Sequence, residues 1–409
     1  MNIFSDMPSA AGIRKIESNY PIEPVLSVNA HFHTPYSFSA FNDIEEIFTL
    51  AERDQVDVLG INDFITTAGY EEFGALAVKH KRFPLFNIEF MGLIPEAQRN
   101  GVRINDPDNP GRIYFCGKGL VLHDRISKAN RSKLDQVFGE SLKQIREMTD
   151  KLNLHLSAGN APIKIDYDFL QKNYTKGLVR ERHLVKCLRI ELKKHFPGET
   201  DLKKFLVSLY AGKQQQAPVS DISALDNELR SRLLKKGGPA FVEENPGAFL
   251  SLETMINIIL DAGGIPCYPV LLDNDKGSFT EFENDYDKLC RYLKDRNIFS
   301  VELIPGRNDL KVLENFVKFF DEQEFLVTFG TEHNTPARPP LSITCRHETP
   351  LTAELNKINY GSACVIAAHQ FLIAGGETGY LEKNGAPRLG KKEEFVRFGN
   401  AVIRHFIHH

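Results

Sequence analysis

Residues 29–34 read Asn-Ala-His-Phe-His-Thr. They close an apolar run, Val25-Leu26-Ser27-Val28, of the kind that forms a buried strand. Side chains two apart on a strand share a face, so His31 and His33 converge at the strand's C-terminal end. Two convergent imidazoles are half of a transition-metal site. A lone His-x-His also suits a plain pair of core histidines, so the residues downstream decide its meaning. Later apolar runs end in similar groups: Ile61-Asn62-Asp63-Phe64, Phe86-Asn87-Ile88-Glu89, Val301-Glu302-Leu303 before Pro305-Gly306-Arg307-Asn308, and Phe329-Gly330-Thr331-Glu332-His333-Asn334. Carboxylates, imidazoles and a guanidinium at strand ends are the materials of a metal-assisted hydrolytic site.

The elements that must position these groups follow from periodicity. Strands are predicted at 25–33, 56–63, 83–91, 112–122, 265–271, 298–304 and 325–331. Helical patterns lie between several of them, including Asp43–Arg53, Glu283–Arg296 and Asp309–Phe320. That alternation predicts an α/β fold with a parallel sheet or barrel. It breaks from about 124 to 250, where helices are predicted at 128–151, 166–174, 179–195, 200–211, 221–235 and 247–262, with a short strand-like piece at 154–157. The expected organisation is a first barrel part (1–123), a helical insertion (124–250), a second barrel part (251–340) and a C-terminal helical extension (341–409) with helices near 351–374 and 391–406.

In this order the strand-end blocks resemble the PHP superfamily, the polymerase-and-histidinol-phosphatase type of metal-dependent phosphoesterases. That signature runs D-x-H-x-H-T, T-D-H, G-x-E, A-H-P after a Gly-Gly turn, and G-S-D-x-H. The corresponding blocks are Asn29–Thr34, Asn62-Asp63-Phe64, Asn87-Ile88-Glu89, Cys267-Tyr268-Pro269 after Gly263-Gly264, and Gly330–Asn334. The resemblance spans about residues 25–335. It implies a distorted seven-stranded, TIM-like barrel with up to three metal ions at its mouth, and phosphoester hydrolysis.

Carried over position by position, the first metal's ligands are His31, His33, Glu89 and Glu332, the last replacing the family's Asp. The second metal's two histidines fall on Tyr114 and Tyr268, and the third's on Phe64 and Asn334. One ligand set is complete and two are dismantled, which implies one divalent ion (Zn, Mn, Fe or Mg) per chain. His333 is a possible substitute for Asn334, and His123 for Tyr114.

Asp63 is then the natural general base or orienting carboxylate, with a helix cap as its plain alternative. Tyr268 is expected to donate a hydrogen bond to a substrate oxygen. With two metals lost, cations must balance a phosphate, and Arg307 is well placed. The stretch Val179-Arg180-Glu181-Arg182-His183-Leu184 loosely resembles an R-P-H-I-A element in the insertion of nucleotide-phosphatase-like PHP proteins. Arg180, Arg182 and His183, with Asn334, are therefore expected to bind substrate. A solvated helix face is the alternative for the first two.

The bulk properties narrow the class. The net charge is −4, and aromatic–basic interleaving is lacking, which argues against a nucleic-acid partner. No Walker A or GxGxxG motif supports nucleotide-driven or NAD-dependent chemistry. No apolar stretch predicts a membrane span, and the N-terminus has no signal-peptide pattern. Six scattered cysteines without a CxxC suit reduced, buried thiols of a cytoplasmic protein. The leading expectation is a metal-dependent phosphoesterase acting on a small-molecule or nucleotide phosphate. The alternative is a catalytically reduced PHP-like protein that binds a ligand or partner without turnover.

Overall fold

Seven runs rich in β-branched and aromatic residues form the sheet: β1 (Val28–Phe32), β2 (Val58–Phe64), β3 (Phe83–Leu93), β4 (Arg112–Lys118), β5 (Ile265–Pro269), β6 (Ser300–Leu303) and β7 (Leu326–Phe329). The computed structural model describes residues 3–121, 126–273, 277, 280–334 and 337–409. The strands pair in sequence order, β1 to β7. At the mouth Phe32 and Glu332 form a parallel bridge, where His33 N–H donates to Glu332 O (3.0 Å) and Glu332 N–H to His31 O (3.0 Å). The two chains approach so closely that a Cβ on Gly330 would lie 2.2 Å from His31 Cβ, so only glycine fits there. Further down the same gap, the helix Ala353–Ala374 closes the barrel. Asn359 takes the N–H of Phe329 (3.0 Å) and gives its own to Val28 O (3.2 Å), and Ser362 takes the N–H of Val327 (2.8 Å). These side chains satisfy edge groups that would otherwise be orphaned.

The sheet is not all parallel. β4 runs antiparallel to both β3 and β5. The β3–β4 connection, residues 94–111, holds only the five-residue helix Pro95–Arg99 and returns the chain antiparallel to β3. The reversal turns the N-terminal end of β4, with Arg112 and Tyr114, toward the mouth.

Alternation along the strands puts buried polar groups inside: Asn29, His31, Asn62, Glu89, Lys118 and Glu302. The other face carries Ala30, Phe32, Ile61, Phe90, Val301 and Phe329 into a core shared with the surrounding helices. Barrel interiors are ordinarily filled by Val, Ile and Leu. This one is polar near its mouth, which has meaning only if the polar groups have work there.

The chain between β4 and β5 is helical: Lys128–Ala158, Tyr167–Tyr174, Glu181–His195, Glu199–Leu209 and Ile222–Leu229, then a π-helical turn Arg230–Leu234. The first helix starts at a Ser127 cap and serves two cores. Leu134 and Val137 pack into the barrel core, while Met148, Leu152 and Leu156 join a second core with Leu184, Leu188, Leu206 and Leu229. The expected strand at 154–157 is the last turn of this helix: Leu156 is buried and Leu154 is 72% exposed, a pattern one amphipathic turn also produces. The predicted helix 247–262 is shorter, Leu252–Asp261 after a Ser251 cap. Helices Ala10–Ile16 and Tyr70–His80 add to those expected. All six cysteines are buried and free. Among the described residues no helix is long and apolar enough to cross a membrane.

Candidate metal centre and anion pocket

β1 delivers His31 and His33, and β3 delivers Glu89. One ligand atom from each lies within 4.8 Å of the other two. The two histidines are 1% exposed and Glu89 6%. His31 Nε2 and His33 Nε2 face each other at 3.4 Å, and Glu89 Oε2 is 3.5 Å from His33 Nε2. Two imidazoles and a carboxylate converging in a buried spot are the donor set of a borderline divalent ion, with positions left open for water or substrate.

The surroundings hold these groups in place. His31 Nδ1 is 2.8 Å from Glu302 Oε1, and Lys118 Nζ bonds the other oxygen of Glu302. His33 stacks on Phe38 with ring centroids 4.5 Å apart. Burial disfavours charge throughout. It pushes Glu89 up to about 7 and, with the positive charges of His31, Arg182 and Arg307, drives His33 well below its ordinary value. At His31 burial opposes protonation, but Glu302 and Glu89 outweigh it and raise the pKa. At Glu302 burial is likewise overcome, and Lys118 and His31 bring the carboxyl down to about 2.

A cavity of about 440 Å³ opens over the triad. Six cations line it: Arg112, Arg180, Arg182, Arg230, Lys235 and Arg307. Four are matched. Arg112 bonds Glu244, Arg230 and Lys235 share Glu181, and Arg307 bonds Glu332 at 2.5 Å. Arg180 has only Ser141 Oγ (2.9 Å) and the ring of Phe64, 4.7 Å from its guanidinium. Arg182 has only Asn227 Oδ1 at 3.4 Å. Among the described residues neither forms an ion pair with a carboxylate, and burial together with Arg230 brings Arg182 down to about 10 against the opposing pull of Glu332, Glu181 and Asp226.

The remaining expected site residues divide. Glu332, Asn334 and Arg307 line the cavity, but the Glu332 carboxylate is taken by Arg307 and by Asn334 Nδ2 (2.6 Å), outside the three-atom cluster. Glu332 and His333 both have left-handed backbone, with φ of 60° and 49°. That tight turn carries His333 away: its ring nitrogens meet Thr331 Oγ1 (2.7 Å) and Pro339 O (2.9 Å), so it does not supply the missing ligand. His123 lies outside the described residues.

Asp63 sits beneath the site and not in the cavity lining. It accepts from Thr34 N–H (2.7 Å), Thr34 Oγ1 (2.5 Å) and Ser37 Oγ (2.5 Å), so it braces the turn after His33 and caps no helix. Burial raises it to about 6. Tyr268 does not reach the cavity either. Its hydroxyl donates to buried Glu283 (2.9 Å), because the side chain leaves β5 toward the core. His183 accepts the Arg180 N–H on Nδ1 (3.0 Å) and so closes the start of the helix that carries Arg182. It lines a neighbouring cavity of about 520 Å³, which shares Phe38, Arg182, Arg230 and Asn334 with the first.

Lys118, Arg230 and Lys235 escaped the sequence reading: Lys118 was visible only as a charge in strand-like alternation, and the other two carried no local signal. Glu302 stood in a strand-end block without a role, and Tyr114, read as a replaced ligand, lines the cavity as a phenol.

Two solved structures share this architecture. An amidohydrolase from Chromobacterium violaceum, solved with sulfate and no metal, matches with a TM-score of 0.50 and 17% identity over 81% of this chain and 96% of that one. A candidate metal-dependent phosphoesterase from Bifidobacterium adolescentis matches with a TM-score of 0.53 and 13% identity over 82% and 96%. No protein-family model and no curated protein matches the chain. At 13–17% identity these two likenesses show a shared fold, a seven-stranded α/β barrel with helical additions.

Proposed function

We propose that this protein hydrolyses phosphoesters of small molecules or nucleotides at one divalent ion held by His31, His33 and Glu89. The observation that carries this reading is the pairing of that triad with Arg180 and Arg182, two cations in the same cavity without carboxylate partners among the described residues. A phosphoryl group brings the direct charge-assisted hydrogen bonds they lack. When bound, the ion supplies a Lewis acid and a water of lowered pKa. The two-imidazole, one-carboxylate donor set suits Zn, Mn or Fe better than Mg.

The chain's own residues do the rest. Arg180 and Arg182 bind and orient the phosphoryl oxygens. Arg307, anchored on Glu332, adds a third positive charge. Phe38 covers His33 and keeps water off that face. The neighbouring cavity, with Tyr174 and Asn42 in its wall, gives room for the alcohol portion of the ester. The arginines come from the 124–250 insertion, which we read as a roof over the barrel mouth. Buried free thiols fit a reducing, cytoplasmic setting.

A second reading, ligand binding without turnover, is favoured by Phe64 and Tyr114, which stand where the resemblance puts imidazoles. Burial raises the Tyr114 pKa, so its phenol donates a hydrogen bond at neutral pH but does not act as an anionic ligand. Phosphate release from a panel of phosphomonoesters, measured with Mn²⁺, Zn²⁺ and Mg²⁺, separates the two. Turnover that disappears in His33→Ala supports the enzyme. Tight binding with no release under any of the three ions supports the binder.

A further inference from the structure

Lys118 is 0% exposed in the centre of the barrel, and Glu302 beside it is 1% exposed. Such a pair is weak evidence for stability, because desolvating two charges offsets most of their attraction, and apolar residues of similar volume often serve as well. The pair touches one thing of consequence. Lys118 Nζ holds Glu302 Oε2, and Glu302 Oε1 meets His31 Nδ1 at 2.8 Å.

The other polar neighbours of the His31 ring do not choose between its nitrogens. Asn62 Nδ2 is 3.0 Å from Nδ1 and 3.1 Å from Nε2, so it distinguishes neither, and Asn62 Oδ1 is buried without a partner. His33 Nε2 offers either a lone pair or a hydrogen at 3.4 Å. Only Glu302 is an acceptor-only group with one-sided contact, so it puts the ring hydrogen on Nδ1 and leaves the Nε2 lone pair toward His33 and Glu89. Among the described residues the Glu302 carboxylate makes one other close contact, 3.6 Å to Cys116 Sγ, so Lys118 is what fixes its rotation.

We infer that Lys118 and Glu302 form a buried positioning pair that sets the ring orientation and tautomer of His31, delivering its Nε2 lone pair to the triad. The inference rests on the reading of His31 as a metal ligand, and it concerns a lysine that the strand-end motifs do not contain.

The test uses the full chain labelled with ¹⁵N-histidine and freed of metal, at an alkaline pH where the His31 ring is neutral. The imidazole ¹⁵N shifts report the tautomer of His31, identified by the resonance lost in His31→Asn, and Zn²⁺ titration then reports affinity. Wild type is expected to show Nδ1–H. Lys118→Met is expected to lose that preference and to weaken Zn²⁺ binding by about 10–100-fold, as loss of a ligand-orienting group does. If the single variant does not fold, Lys118→Met/Glu302→Gln removes both charges of the pair and leaves neither one buried without the other. Its amide can turn either edge to the ring, so the same loss of tautomer preference is expected. Nε2–H in wild type, or an Nδ1–H signature with unchanged Zn²⁺ affinity in the folded variant, overturns the inference. A tautomer that depends on Lys118 in a protein that binds no ion upholds the positioning pair and overturns the metal reading instead.

Discussion

The guanidinium of Arg180 lies over the ring of Phe64, 4.7 Å from its centroid. Phe64 ends β2, where the motif resemblance places a metal-binding histidine. The aromatic ring binds no metal, but its face attracts a cation. A fixed positive charge from the insertion thereby reaches the region where a further ion is expected in the resembled family. Under the proposed function, that charge takes the place of a further ion in drawing a phosphoryl group into the cavity.

Arginine removal should be read on anion binding. Arg180→Ala and Arg182→Ala should each weaken inorganic phosphate binding by about 1.5–3 kcal/mol, tenfold or more, because each removes a charge-assisted contact. The melting temperature should move little, since among the described residues neither arginine has an ion pair to lose. Isothermal titration with phosphate measures the first and thermal unfolding the second. Unchanged phosphate affinity would return both arginines to the role of a solvated helix face.

The pH dependence follows from Glu89. Burial pushes it up to about 7, so below that pH the metal-free protein carries a proton that an ion must displace. Through Glu89 alone, metal affinity should fall about tenfold for each pH unit below 7, and protonation of His31, whose pKa is also raised, steepens that fall. Stability runs the other way. A raised folded-state pKa favours the metal-free fold below the ordinary carboxylate range, and that contribution is lost as pH rises through about 7. Bound metal should therefore raise the melting temperature more at pH 8 than at pH 6. A shift independent of pH would contradict the assignment of Glu89.

Tyr268 separates structure from chemistry. Its hydroxyl is one donor to buried Glu283, which also accepts the N–H groups of Leu271 and Leu272. Tyr268→Phe should cost about 1 kcal/mol of stability, the worth of one hydrogen bond. Phosphate release and metal affinity should stay at wild-type levels. A large drop in turnover in a protein of unchanged stability would restore the substrate-facing role that the motif order suggested.

All seven strands were legible because each is a short apolar or alternating run, and His31, His33 and Glu89 were legible because they stand toward the ends of two of them. The direction of β4 was not. It depends on how the 94–111 connection folds, and strand direction leaves no trace in alternation. Tyr268 and His333 were misplaced for a related reason: motif order names a position along the chain, whereas a bend in the backbone, such as the left-handed pair at Glu332 and His333, decides where the side chain goes. Arg230 and Lys235 reach the cavity from a π-turn remote in sequence, and only tertiary packing brings them beside Glu181.

The central claim is a single metal centre on His31, His33 and Glu89. Anomalous scattering from crystals grown with Mn²⁺ or Zn²⁺ tests it most directly. The account predicts one strong peak per chain at the barrel mouth, bonded to His31 Nε2, His33 Nε2 and the Glu89 carboxylate, and no peak in His33→Ala. Three ions at the mouth, or one ion held elsewhere with these three side chains unliganded, would contradict it.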